Sequence, residues 1–158
     1  MIELYLAHPF SYRKAARKIE MRIEKGLGVK LINPFYDTEE KALMRRIDDG
    51  MKLWKAREKI LKSVKQNQTV DRDLSFCRTT DGVLWLVPYH AYTVGAPMEA
   101  FYAHSLGKPV YTITYQKNIN HPFLKYVSTQ VFTTATAFMK WWKEGIGERL
   151  NTAESGEV

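Results

Sequence analysis

The chain reads as a single α/β domain built on a doubly wound parallel sheet of five strands with flanking helices, flavodoxin- or Rossmann-like. Three observations predict this. Short apolar runs alternate with longer segments whose apolar residues recur at helical spacing. The run Gly82–Val87 (GVLWLV) is continuously apolar, as expected of a central strand covered on both faces. The 158 residues, 45% of them hydrophobic, suffice for one compact core.

The elements follow in order. Ile2–Ala7 is a short buried strand, closed by His8-Pro9-Phe10-Ser11. A helix comes next, with Ser11 as its expected cap, Ala15, Ala16, Ile19 and Ile23 on its apolar face, and Gly26 and Gly28 ending it. Val29–Ile32 forms a second strand, stopped by Asn33-Pro34. Residues 39–65 are charged and helical in period, with a break at Asp48-Asp49-Gly50. A short helix covers Val70–Arg78, and another runs from the loop 88–96 through Ser105 to Gly107. Pro109–Thr114 and Gln130–Phe132 complete the sheet, and Ala135–Glu144 packs a Phe- and Trp-rich helix on it. The domain spans 1–150, and 151–158 is a polar tail. Strand–helix alternation implies right-handed parallel crossovers.

Composition narrows the function classes. No run approaches a membrane span, and the start MIELYLAHPF lacks the charged and apolar regions of a secretory signal. The lone Cys77 forms no intrachain disulfide, and a cytoplasmic protein is expected. The formal net charge of +7 is spread along amphipathic stretches, as on solvated helix faces; it also favours anionic partners. His8, His90, His104 and His121 are too scattered to suggest a metal site.

In doubly wound sheets, ligands bind beyond the carboxyl ends of the strands where the strand order reverses. Residues 7–12, 33–37 and 88–99 meet that description. Pro97 suits the first position of a helix, which places Glu99 in the first turn. There the dipole and free N–H groups keep a carboxylate ionised. On spacing alone Glu99 reads more readily as a glutamate that only complements the dipole. Met98, Phe101 and Tyr102 have the spacing of core residues. Tyr89, His90 and Tyr92 overhang the pocket, where they stack on a ligand or meet another subunit.

The ordered set Leu4-Tyr5-Leu6-Ala7, Asn33-Pro34-Phe35-Tyr36-Asp37, Asp71-Arg72-Asp73-Leu74, Asp81-Gly82-Val83, Gly95-x-x-Met98-Glu99-x-x-Tyr102-Ala103 and Gly107-Lys108-Pro109-Val110 resembles the nucleoside 2-deoxyribosyltransferase family. The resemblance implies that Glu99 attacks C1' of a deoxynucleoside and forms a covalent glycosyl intermediate. Asp73 handles the proton of the leaving base, and Tyr5 positions the nucleophile. It further implies a substrate pocket containing His8, Phe10, Phe35, Asp37, Thr93, Gly95 and Met98, with Asn120 contributed to a neighbouring subunit of a homo-oligomer. No cofactor and no metal are required. The partners are a deoxynucleoside or deoxynucleotide and a free nucleobase, in nucleoside salvage, with nucleic acid and membrane outside the expected set. The aromatic-rich surface expected around Trp141 and Trp142 is compatible with self-association.

Thr93 departs from the aspartate that many transferases carry there. It resembles instead the deoxynucleoside 5'-monophosphate N-glycosidases. Where those carry a Gly-rich loop with Ser and Arg after the first strand, this chain has His8-Pro9-Phe10-Ser11-Tyr12-Arg13, whose Ser11 and Arg13 either hold a phosphate at a helix start or serve as a cap and a solvated arginine. Hydrolysis of such monophosphates is therefore the alternative activity. A non-catalytic module that binds nucleotides or nucleic acid is a third reading, supported by the net charge.

Overall fold

The computed structural model describes residues 1–36, 66–89 and 93–154. The elements are β1 (Glu3–Ala7), α1 (Arg13–Leu27), β2 (Lys30–Ile32), α2 (Gln66–Thr79), β3 (Gly82–Val87), α3 (Gly95–Ser105), β4 (Val110–Thr114), α4 (Pro122–Val127), β5 (Gln130–Phe132) and α5 (Ala135–Glu154). The expected segment 39–65 and tail 155–158 lie outside the described residues.

The five strands pair in parallel in the order β2-β1-β3-β4-β5, with Tyr5 level with Val83 and Ala7 level with Trp85. Strand alternation sorts the apolar residues into two cores. On one face Leu4, Leu6, Leu84, Leu86 and Tyr111 meet Ala16 and Ile23 of α1 and Phe138 and Trp142 of α5. On the other, Tyr5, Ala7, Val83, Trp85 and Val110 meet Cys77 of α2, Ala96, Ala100 and Ala103 of α3, and Leu124 and Val127 of α4. Helices therefore cover both faces, as the apolar GVLWLV run predicts. Among the described residues no helix is long and apolar enough to cross a membrane.

Several local expectations are corrected. Ser11 does not cap α1: residues Phe10–Tyr12 form a 3-10 turn, Tyr12 takes the cap position, and no side chain bonds the free N–H groups. Gly26 stays inside α1, and Gly28 ends it alone, in the left-handed conformation with φ 65°. Trp142 is buried, and Trp141 packs partly buried against the same core. Tyr111, Phe132, Phe138 and Trp142 form an aromatic cluster there, with ring centroids 5.4 to 5.9 Å apart. Exposed large apolar residues include instead Met98, Phe101, Phe123 and Tyr126, on α3 and α4. Met98 and Phe101 are thus not core residues, although helical spacing alone suggested it.

The Gly107-Lys108-Pro109-Val110 segment fastens α2 to the sheet. Gly107 turns with φ 73°, and Lys108 Nζ donates to the carbonyls of Arg78 and Thr80 at the end of α2. A cation there also complements the helix dipole. The Pro109 carbonyl accepts the Val83 N–H at 2.9 Å. Pro109 packs so closely on Gly82 that a Cβ at that position would stand 2.7 Å from Pro109 O and 2.9 Å from Pro109 Cγ. Gly82→Ala is therefore expected to lower stability by about 1–3 kcal/mol. Chemical denaturation checks this; an unchanged midpoint would show that the β3–β4 approach is not tight.

Candidate active site

The strand order places a switch point between β1 and β3, because the chain leaves β1 toward β2 on one side and reaches β3 on the other. The candidate side chains Tyr5, Asp73 and Glu99 converge on the face covered by α2 and α3. Tyr5 projects from the middle of β1 and is fully buried, stacked on Phe76 of α2 at 5.8 Å. Asp73 lies one helical turn before Cys77 on α2. The Cys77 thiol in turn donates to the Glu99 carbonyl of α3 at 3.7 Å. Ala96, Ala100 and Ala103 bring α3 close to the sheet, since methyl groups are all that separate them.

The helix begins at Gly95, with Val94 at the cap, so Pro97 occupies its third position and Glu99 its fifth. Glu99 is therefore beyond the first turn, where the dipole acts most strongly. Its electrostatics invert the sequence expectation accordingly. The side chain keeps some exposure, but its carboxyl is withdrawn from solvent. Burial, with the Asp73 charge as second cause, pushes that carboxyl up to about 8, while the nearby Tyr5 hydroxyl and the Arg72 cation pull it down. Glu99 thus holds its proton at neutral pH.

The Tyr5 hydroxyl faces this carboxyl without forming a bond of good geometry, and no atom among the described residues accepts its proton. Its own pKa is raised well above the ordinary value by burial, then by Glu99 and Asp73. Catalytic hydrogen bonds often tighten only when a ligand arrives. Asp73 is paired with Arg72, whose Nη2 and Nε lie 2.9 and 3.0 Å from Asp73 Oδ1. Burial pushes the Cys77 thiol up to about 12, so it is neutral and packs as a small apolar group.

His8, Phe10 and Phe35 form an aromatic wall at the ends of β1 and β2. The Phe35 ring stands 5.1 Å from His8 and 5.3 Å from Phe10, both edge-on. A buried polar network holds the wall in place. Asn33 Nδ2 donates to Glu20 Oε2 at 2.6 Å, Asn33 Oδ1 accepts the Phe35 N–H at 3.2 Å, and Arg17 pairs with Glu20. His8 Nε2 lies 3.1 Å from Asn33 Oδ1 and Nδ1 lies 3.0 Å from the Pro9 carbonyl. Burial lowers the His8 imidazole below its ordinary value despite those two contacts; a neutral ring carries one N–H and donates to only one of the two oxygens. Arg13 is buried and its guanidinium covers the Phe10 ring at 4.9 Å; Ser11 is exposed.

The remaining expected site residues scatter. Gly95 opens α3, and a Cβ there would lie 3.7 Å from Glu99 Oε1, which shows the carboxyl folding back over the helix start. Thr93 is half-buried just before it. Met98 points outward, 65% exposed, and Asn120 is exposed ahead of α4. Asp37, His90 and Tyr92 lie outside the described residues. Tyr89 engages Tyr115 at 5.3 Å and Lys117 Nζ at 3.6 Å from its ring centre. Among the described residues no cluster of His, Cys, Asp and Glu could hold a metal ion.

Sequence reasoning missed Arg72 and Glu20. Glu20, 1% exposed, falls at helical spacing between Ala16 and Ile23, so a charge on the apolar face of α1 was the available signal. A separate cleft of about 180 Å³, lined by Tyr12, Leu86, Ile113, Thr114 and Thr134 among others, opens on the opposite sheet face, remote from the paired carboxyls.

A carboxyl whose pKa rises on folding binds its proton more tightly in the folded state, so its contribution to stability is lost as pH rises from about 4.5 toward 8. Glu99→Gln removes that loss. The variant's stability advantage over the wild type is therefore expected to grow between pH 5 and pH 8, by about 1.4 kcal/mol for each pH unit crossed. Melting both proteins across that range checks this; a constant difference would mean that Glu99 is already ionised.

No protein-family model matches the sequence, and no curated protein matches it. Solved structures do. A conserved protein from Enterococcus faecalis V583 superposes with a TM-score of 0.65 at 12% identity, over 91% of this chain and 98% of that one. A 2-deoxyribosyltransferase from the psychrotolerant bacterium Bacillus psychrosaccharolyticus gives 0.58 at 15% identity, over 87% and 90%. A CMP N-glycosidase from Clostridium botulinum gives 0.54 at 14% identity, over 89% and 97%. At these identities the likeness establishes the architecture, and this chain shares the α/β fold of the 2-deoxyribosyltransferase and N-glycosidase structures.

Proposed function

We propose that the protein is an enzyme that breaks the N-glycosidic bond of 2'-deoxynucleosides and transfers the 2-deoxyribose to a second nucleobase. The observation that carries this reading is the withdrawn Glu99 carboxyl, set against Asp73 and Tyr5 at the switch point. Two carboxyl groups with opposed protonation are what a double displacement at a sugar carbon needs. Similarity to a 2-deoxyribosyltransferase and an N-glycosidase supports the same chemistry.

The resting proton suggests the sequence of events. Asp73, paired with Arg72, takes the proton from Glu99 when the substrate excludes water. Glu99 then attacks C1' as a carboxylate, with Tyr5 donating to it, and the C1'–N bond breaks. The electron pair of that bond leaves with the base, which receives the proton from Asp73. An incoming base returns its proton to Asp73 as its nitrogen attacks C1' from the vacated face, displacing Glu99. Two inversions give net retention. The positive charge that develops on the sugar favours ionisation of Glu99 at the moment it is needed.

The exposed Met98 and Phe101 of α3, joined to Tyr126 of α4 through His104 at 4.9 Å from the Tyr126 ring, support self-association beside the site. A second reading, hydrolysis of deoxynucleoside 5'-monophosphates, is favoured by Arg13, which is buried against the Phe10 wall and not extended into solvent. Water would then replace the second base.

Base exchange decides between the two readings. The protein is incubated with deoxyinosine or thymidine plus free adenine or cytosine, in parallel with the 5'-monophosphates, and products are separated by chromatography. The expected result is a new deoxynucleoside that requires the free base and falls about a thousandfold or more in Glu99→Ala. Base release from monophosphates alone, indifferent to acceptor, would establish the hydrolase. No reaction with either set would overturn both.

A second expectation concerns pH. If the working form carries one proton on the Glu99–Asp73 pair, kcat/KM should decline above about pH 8, as that proton is lost. A rate that climbs through pH 8 would mean that Glu99 acts alone and arrives deprotonated.

A further inference from the structure

Two buried donors on the α3-covered sheet face have no acceptor among the described residues: the Tyr5 hydroxyl and the Trp85 indole N–H. Tyr5 is accounted for by its place beside Glu99. Trp85 is not. It stands level with Ala7, the last residue of β1, and so one pleat nearer the carboxyl edge of the sheet than Tyr5, which is level with Val83. Both side chains lie on the same face and in the same buried cluster as Ala96 of α3. Trp85 is 8% exposed, so its ring reaches the edge of the protein interior while its nitrogen is shut off from solvent.

A buried donor left unpaired loses its bonds to water and gains nothing in return, and native proteins tolerate few of them. Folding alone gives no reason to prefer tryptophan here, because a phenylalanine would fill much of the same space without the penalty. An N–H retained at that cost, on the face and at the strand end where the switch point opens, has a use when something is bound. The indole is uncharged and donates only. It therefore suits a neutral oxygen or nitrogen acceptor and has no means of balancing a phosphate.

We propose that Trp85 is a substrate-contacting residue of the Glu99 site, whose indole N–H donates to a neutral acceptor atom on the base or sugar of the bound deoxynucleoside. The proposal rests on the functional reading above. Trp85 moves no proton in the reaction. It orients the substrate against Glu99 and discriminates against ligands that lack the acceptor, because such a ligand leaves the N–H unpaired.

The test uses the indole resonance directly. The chain has four tryptophans, and the Trp85 indole signal is identified by its disappearance in Trp85→Phe. Glu99→Gln protein, which does not turn over, is titrated with 2'-deoxyadenosine, thymidine and their 5'-monophosphates. The expected result is a downfield shift of the Trp85 indole proton on saturation. In the Glu99-intact protein, Trp85→Phe should weaken binding or raise KM about fivefold with its melting temperature held. If the His8 and Gly95 amides move on saturation but the Trp85 indole does not, the assignment of Trp85 is overturned while the reading of Glu99 stands. If no probe moves any of these signals, the functional reading fails and this proposal fails with it.

Discussion

Parallel pairing of β1 with β3 is the constraint from which the rest of the molecule follows. The register that sets Tyr5 level with Val83 sends Leu4 and Leu6 to one core and Tyr5 and Ala7 to the other. A slip of one residue would exchange the two sets and carry Tyr5 to the α1 side, away from Glu99. The same pairing creates the switch point, because β2 and β3 flank β1 on opposite sides. The turn through Gly107-Lys108-Pro109 locks the arrangement from below: it ties the end of α2 to the sheet, and α2 carries Asp73. A segment that looks like part of a functional signature therefore has a structural effect, fixing where Asp73 stands.

The state of Glu99 is a contest between two effects of unequal size. A helix N-terminus stabilises a nearby carboxylate by about 0.3–1 kcal/mol, and the effect falls off within the first turn. Withdrawal from water opposes ionisation far more strongly, and a neighbouring carboxylate adds to that opposition. At the fifth position of α3, close behind three alanines that draw the helix onto the sheet, burial wins and the carboxyl is held at about 8. Under the proposed reading, Glu99 is a nucleophile stored in its protonated form, as suits a reaction in which the same proton must later reach a leaving base. The Arg72–Asp73 ion pair places a second carboxyl group beside it.

The aromatic wall has its own support. His8, Phe10 and Phe35 come from two loops that would otherwise be free to move relative to each other. The buried Glu20–Asn33 bond, with Arg17 on Glu20 and His8 on Asn33, ties the helix after β1 to the turn after β2. Burying Glu20 is tolerable because its charge is paired and its oxygens are bonded. A network of this kind contributes little net stability, and its effect is to hold the loops in one arrangement.

The order of residues was enough to read the fold class, the five strands to within a residue, and Tyr5, Asp73 and Glu99 as candidates. These are legible because alternation and helical period are local properties, and because an apolar strand run with turn residues at its ends has few other uses. Helix starts were less legible. Pro97 is permitted at several first-turn positions, so its presence did not say that α3 begins two residues earlier at Gly95. The outward faces of Met98 and Phe101, the burial of Trp142 and the unpartnered N–H of Trp85 had no local signature, since each depends on which element packs opposite. The same holds for the proton on Glu99. Its charge state is a sum over burial, Asp73, Tyr5 and Arg72, drawn from three elements far apart in the chain, and only their assembly in space sets the sign.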